Sequence, residues 1–286
     1  VDLVAQLSNG DITAIDRLLE HGDAAIGVLV RELPGPVTSP SRAPRLDPLV
    51  KASEFGPVLR ALVAFGPAAR PYVIARTSDG DPKIRAWSVR ILGELGGRQA
   101  AIAIVQRVIL DRDAEVKRAA HQACQLLYRD VDSANAVRLA LLETAFDKQA
   151  VITQRLAAMD ALTDLRDVQA IPSLIELLAD PNPGTAAGAG QALVVLVRQD
   201  FGYDQKKWNA WWLENAQRER IEWVIDALDH RQPSIRQAAS EELRLLSRLY
   251  VGDYDDDSGE ARAKIQKKYR DWWATGGRVN SMPPKR

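Results

Sequence analysis

"DGDPKIRAWSVRILGELG", residues 79–96, decides the fold. Ile84, Ser88, Ile91, Leu92 and Leu95 recur at the three- and four-residue steps that lay one stripe along a helix. Asp81 stands where an N-cap is wanted, and Pro82 follows where a first-turn residue lacking an N–H costs nothing.

The same register returns along the chain. "VKRAAHQAC" (116–124), "QRLAAMDAL" (154–162), "TAAGAGQAL" (185–193) and "IRQAASEEL" (235–243) repeat the pattern of "IRAWSVRIL" (84–92). A small residue sits four places in, another seven places in at Ala123, Ala161 and Ala192, and an apolar one at the eighth. "EFGPVLRAL" (54–62) and "GDITAIDRL" (10–18) fit it more loosely. Successive anchors are 44, 30, 32, 38, 31 and 50 residues apart, a two-helix repeat unit with three insertions. Ala120, Ala123, Ala158, Ala161, Ala189 and Ala192 predict close approach of neighbouring helices. "SDGDP" (78–82), "LDRD" (110–113), "ADPNP" (179–183) and "HRQP" (230–233) are the turns before first helices. Period-two strand signals are nearly absent.

These segments resemble HEAT repeats. Residues 79–96 look like a first helix, "QAAIAIVQRVIL" (99–110) like its second, and "DVQAIPSLIELLADPNP" (167–183) fits the pattern better still. The nearest type is the short bacterial HEAT-like, or phycobilisome-lyase-type, repeat. In that type an Asp before the first helix and a basic residue early in it form a ladder between units. Asp81 with Arg85 and Asp113 with Lys117 match both positions; Arg236 matches the basic one, and "TAAGAG" lacks it. The resemblance spans residues 50–275. It implies an all-α, right-handed α-solenoid of about seven helix pairs, residues 1–286 forming one array with one continuous core. It says little about activity, because the family hosts scaffolds, adaptors and a few enzymes.

Three stretches depart from the register. "PGPVTSPSRAPRLDP" (34–48) is proline-rich without apolar periodicity and reads as a surface loop. The other two, 200–216 and 251–277, each hold a turn and a Trp-rich helix: "QKKWNAWW" (205–212) and "QKKYRDWW" (266–273). Arg198 and Gly202 recur fifty residues later as Arg248 and Gly252, so the two octapeptides are equivalent parts of the last two units. Trp208, Trp211 and Trp212 share one helix face, as do Tyr269, Trp272 and Trp273. Both stripes are read as packing faces, with the lysines toward water and the second helix closing the C-terminal end. The alternative is a stacking platform for single-stranded nucleic acid or an interfacial membrane anchor. Residues 278–286 are expected to be a flexible tail.

Bulk charge weighs against that alternative. Thirty-eight basic and thirty-eight acidic side chains give a formal net charge of zero. No apolar run reaches the length of a membrane span. One cysteine, Cys124, excludes an intramolecular disulfide and a multi-cysteine metal site, and it lies on an apolar helix position. The chain opens at Val1, the expected start of a processed or trimmed product; cytoplasm and periplasm both stay open.

Catalytic signals are few. Asp253, Asp255 and Asp257 occupy calcium-loop positions one, three and five, but glycine comes one place late and Lys264 stands where the bidentate Glu belongs. His21, His121 and His230 lie far apart and in no metal-binding spacing. A glycosylase-type site could be drawn from Trp87 with Arg85 and Arg90, or from Trp223 with Glu222 and Asp226. The mixed charge of the second helices argues against the basic groove such an enzyme needs. The expectation is a non-catalytic scaffold or adaptor, without cofactor, holding another protein or peptide on its concave face. Exposed candidates there are Arg98, Gln99, Arg107, Arg138, Glu143, Glu176 and Glu222.

Overall fold

A computed structural model describes residues 2–38, 49, 51–249 and 258–277, and all regular structure among these is helical. The chain divides into two compact units, Val1–Leu165 and Arg166–Arg286, where the repeat register alone suggested one array. The first holds α1 (Leu3–Ser8), α2 (Ala14–Glu20), α3 (Gly22–Arg31), α4 (Pro57–Ala64), α5 (Arg70–Arg76), α6 (Pro82–Leu95), α7 (Arg98–Leu110), α8 (Ala114–Leu127), α9 (Val131–Phe146) and α10 (Ile152–Asp164). The second holds α11 (Ile171–Leu177), α12 (Pro183–Val197), α13 (Gln205–Asn215), α14 (Arg220–Asp226), α15 (Pro233–Ser247) and α16 (Gly259–Trp272).

One turn is built four times. Asp79, Asp111 and Asp180 each accept a bond from the backbone N–H two residues on, at 2.9, 3.0 and 2.9 Å. That next residue, Asp81, Asp113 or Asn182, then turns its own oxygen onto the free N–H groups of α6, α8 or α12. Such caps are worth about 1 kcal/mol each. In the fourth turn His230 replaces the first acid, its Nδ1 accepting from the Gln232 N–H at 3.1 Å, and Gln232 makes no side-chain cap.

The implied ladder is corrected by this geometry. Asp81 and Asp113 each turn Oδ1 onto their own helix end, and neither is bonded to Arg85 or Lys117. Arg85 instead reaches Asp111 in the next turn through two bonds of 2.9 and 2.8 Å, and it also donates to the carbonyls of Asp79 and Gly80. Arg236 repeats the second half of that role on the carbonyls of His230 and Arg231. A planar guanidinium suits this work because its fork serves a carboxylate and backbone oxygens together.

In the first unit the core runs between first helices. Gly93 of α6 lies against Ala123 of α8 so closely that an added Cβ would stand 2.9 Å from the Ala123 Cβ. Ala120, Ala123, Ala158 and Ala161 are buried in that unit, and Ala189 and Ala192 in the other. Small side chains therefore set the helix spacing, and Ile91, Leu92, Ile104 and Leu141 fill the space between.

In the second unit α13 lies between the first and second helices of its repeat in chain order, and α16 follows α15 in the same way. Ile265 and Tyr269 of α16, with Trp273 just beyond it, complete a core with Val224, Ile225, Leu228, Ile235, Ala239 and Leu243. Part of the proline-rich loop (39–48), the acidic residues Asp253, Asp255 and Asp257, and residues 278–286 lie outside the described residues.

Candidate partner-binding groove

α7 is apolar on nearly every side. Ala100, Ala101, Ala103, Ile104, Val105, Val108 and Ile109 are buried, which leaves Ile102 and Leu110 still 38% and 48% exposed. α9 leaves Leu139 63% exposed. Between these helices and the start of α10 runs an open groove of about 860 Å³. Its walls are Ile102, Val105, Gln106, Ile109 and Leu110 from α7, then Ala140, Glu143, Thr144 and Phe146 from α9, with Asp147, Ala150 and Gln154 beyond. Ile102 and Leu110 thus lie together along one channel, where scattered singles would have needed no explanation.

The expected partner-facing residues fall into several settings. Glu143 lines the groove. Arg98 and Gln99 are exposed at the start of α7, and Arg138 of α9 donates to Asn135 at 2.7 Å. Arg107 of α7 is turned toward Asp111, 3.6 Å away. Asp111 is buried, which raises its pKa, but the Arg85 hydrogen bond, the Asp113 N–H and the charges of Arg85 and Arg107 together outweigh this, and the group stays below the ordinary carboxylate range. In the second unit Glu176 is exposed, and Glu222 caps α14 by accepting the Glu219 N–H at 2.9 Å.

The aromatic stripes dock within the second unit. Trp208 is buried, donates its indole N–H to the Gly202 carbonyl at 2.9 Å and meets Phe201 edge-on. Trp211 and Trp212 are half-buried and stand edge-to-face on the buried Trp223, at centroid distances of 5.2 and 6.0 Å. Tyr269 and Trp273 are buried, and Trp272 is half-buried beside both. Lys206, Lys207, Lys267 and Lys268 are exposed.

The glycosylase-type constellations are already engaged. Trp87 is nearly buried, with Phe55 edge-on at 5.0 Å and the Arg90 guanidinium 5.1 Å over its ring; Arg90 in turn pairs with Glu115. Trp223 packs against the two tryptophans, and Asp226 is held by Arg218 and Arg270 at 2.7 and 3.0 Å.

Sequence reasoning missed one buried centre. Glu242 of α15 receives Arg198 at 2.9 Å and Arg220 at 2.6 Å, with Arg166 at 3.6 Å. Burial raises the Glu242 pKa, but Arg220, then Arg166 and Arg198, outweigh it and hold the group below its usual range. The pattern offers one hint. Arg198 and its repeat equivalent Arg248 both end their helices in the left-handed conformation, which Arg has no intrinsic reason to choose. Cys124 is buried, which pushes its thiol up to about 12. Among the described residues no group of three or more His, Cys, Asp or Glu is placed to hold a metal ion. No single described helix is long and apolar enough to cross a membrane.

Residues 154–180 match the family described as the PBS lyase HEAT-like repeat. No match is found among curated proteins. Among solved structures, the complex of CpcE and CpcF of phycocyanin lyase from Nostoc sp. PCC7120 is similar at 23% identity. It covers 59% of this chain and 98% of that one, with a TM-score of 0.33. A computationally designed armadillo repeat protein for modular peptide recognition is similar at 14% identity, over 85% of this chain and 98% of that one, with a TM-score of 0.31. An engineered protein matches at 14% identity, over 93% and 72%, with a TM-score of 0.34. Residues 154–180 thus match one HEAT-like repeat, within a chain whose regular structure is helical throughout the described residues.

Proposed function

We propose that the chain is a non-catalytic scaffold or adaptor that binds a segment of another protein in the α7–α9 groove of its first unit. The observation that carries this is that Ile102 and Leu110, both exposed, line one open channel together with the half-buried Phe146. Leaving such side chains in water forgoes about 25 cal/mol per Å² of apolar surface. A partner side chain seated there recovers that stabilisation. The groove is lined on two sides by helices of a repeat array, so its walls are held by the core beneath them.

The test is site-specific photocrosslinking in the native host. A crosslinkable residue at Gln106 or Thr144 should yield adducts with another protein, and one at Arg118 on first helix α8 should not. Ile102→Asp should remove those adducts while the helical circular dichroism stays unchanged. Equal adducts from both faces, or adducts that survive Ile102→Asp, would overturn the proposal.

A further inference from the structure

We infer that the partner segment is apolar and basic, because the groove sets two uncompensated carboxylates beside its apolar wall. This rests on the proposed partner-binding role of the groove. Glu143 and Asp147 lie one helical turn apart and are the charged residues of its lining. Three other acids of the same unit have arginine partners: Asp79 has Arg76, Asp111 has Arg85 and Arg107, and Glu115 has Arg90 and Arg118. Glu143 and Asp147 have no ion-pair partner among the described residues, and neighbouring Lys148 pairs with neither.

Three unfavourable terms meet at this point. Like charges four residues apart on a helix repel. Both sit in or just after the last turn of α9, where the helix dipole is already negative, and that turn carries no basic residue. The carboxylates share the groove lining with Phe146, Ile109 and Leu110, so part of their surroundings is apolar. A cation delivered from outside relieves all three. A free cation would leave the apolar wall wet, and a purely apolar segment would leave the charges unmatched. The geometry fits a polypeptide that places Leu-like side chains on α7 and, one turn away, Lys or Arg on the end of α9.

Fluorescence anisotropy on the full chain tests this with three short synthetic peptides of equal length: Leu/Lys, Leu/Glu and Ser/Lys, with matched spacing. The Leu/Lys peptide should bind about tenfold more tightly than either other peptide, and added salt should weaken it. The conservative double variant Glu143→Gln, Asp147→Asn should remove most of that advantage. Asp16→Asn with Asp23→Asn, away from the groove, should not change it. Equal binding of Leu/Glu, or no effect of the double variant, overturns the basic assignment. Ile102→Glu should still abolish binding in that case, and the groove itself would stand. If Ile102→Glu leaves all three peptides unaffected, the groove reading fails as well.

Discussion

Gln205 and Gln266 make the same contact in successive repeats. The Gln205 side-chain amide donates to the carbonyls of Ile175 and Glu176 at 2.7 and 3.2 Å, at the end of α11. That of Gln266 donates to Ile225 and Asp226 at 3.0 and 3.3 Å, at the end of α14. Helix ends leave such carbonyls without intrahelical partners, and one amide serves two of them. The first letter of each octapeptide is therefore the clamp, and the aromatic residues that follow are aimed by it.

Removing the clamp should cost little, and removing the buried ring much more. Gln205→Ala and Gln266→Ala are each expected to lower stability by about 1 kcal/mol. Trp208→Ala should cost about 3–5 kcal/mol. Trp211→Ala, whose ring is half-buried, should cost distinctly less than Trp208→Ala. Urea denaturation of the four variants checks the order; equal losses for the two tryptophans would contradict it.

Glu242→Gln leaves Arg198 and Arg220 facing a neutral amide in a mostly buried setting. Breaking such a centre is expected to cost about 3–5 kcal/mol, read by urea denaturation at neutral pH. The native pKa of Glu242 lies below its unfolded value. Its contribution is therefore fully present above the unfolded carboxylate pKa and is lost as pH falls through the native one. The difference between wild type and Glu242→Gln should shrink steadily in acid.

His230 supplies the opposite chemistry at a position where three other turns use Asp or its equivalent. Burial, then Arg231, lowers its pKa, so the native state keeps the neutral ring whose Nδ1 accepts the Gln232 N–H. Stability from this turn is present above the unfolded histidine pKa and falls as pH drops through the native one. Thermal melts between neutral and mildly acidic pH should show this loss in wild type. His230→Asp, which restores the acceptor of the other turns, should remove that step.

Gly93→Val drives two methyls into Ala123, with the α8 backbone close behind. A loss of about 1–3 kcal/mol is expected from overpacking. Gly80→Ala, where an added Cβ meets nothing, serves as the comparison in the same melts.

The sequence by itself determined the helices and their order. Period, caps and turn residues are local properties, so "DGDP", "LDRD" and "DPNP" announced the starts of α6, α8 and α12 without any knowledge of packing. The octapeptide twins and the Arg198–Arg248 spacing showed equally well that the last two units are equivalent. Tertiary structure alone decided which side chains answer one another. Arg85 finds Asp111, twenty-six residues on, rather than Asp81 in its own turn, a pairing across units that local spacing does not encode. Glu242 gathers arginines from three separate segments, a convergence no linear spacing encodes. The groove followed the same rule. Glu143 was visible as an exposed candidate, but Ile102 and Leu110 look like ordinary helix apolars until packing shows that the core leaves them uncovered. Burial is a property of neighbours, and neighbours across helix pairs are set by the fold.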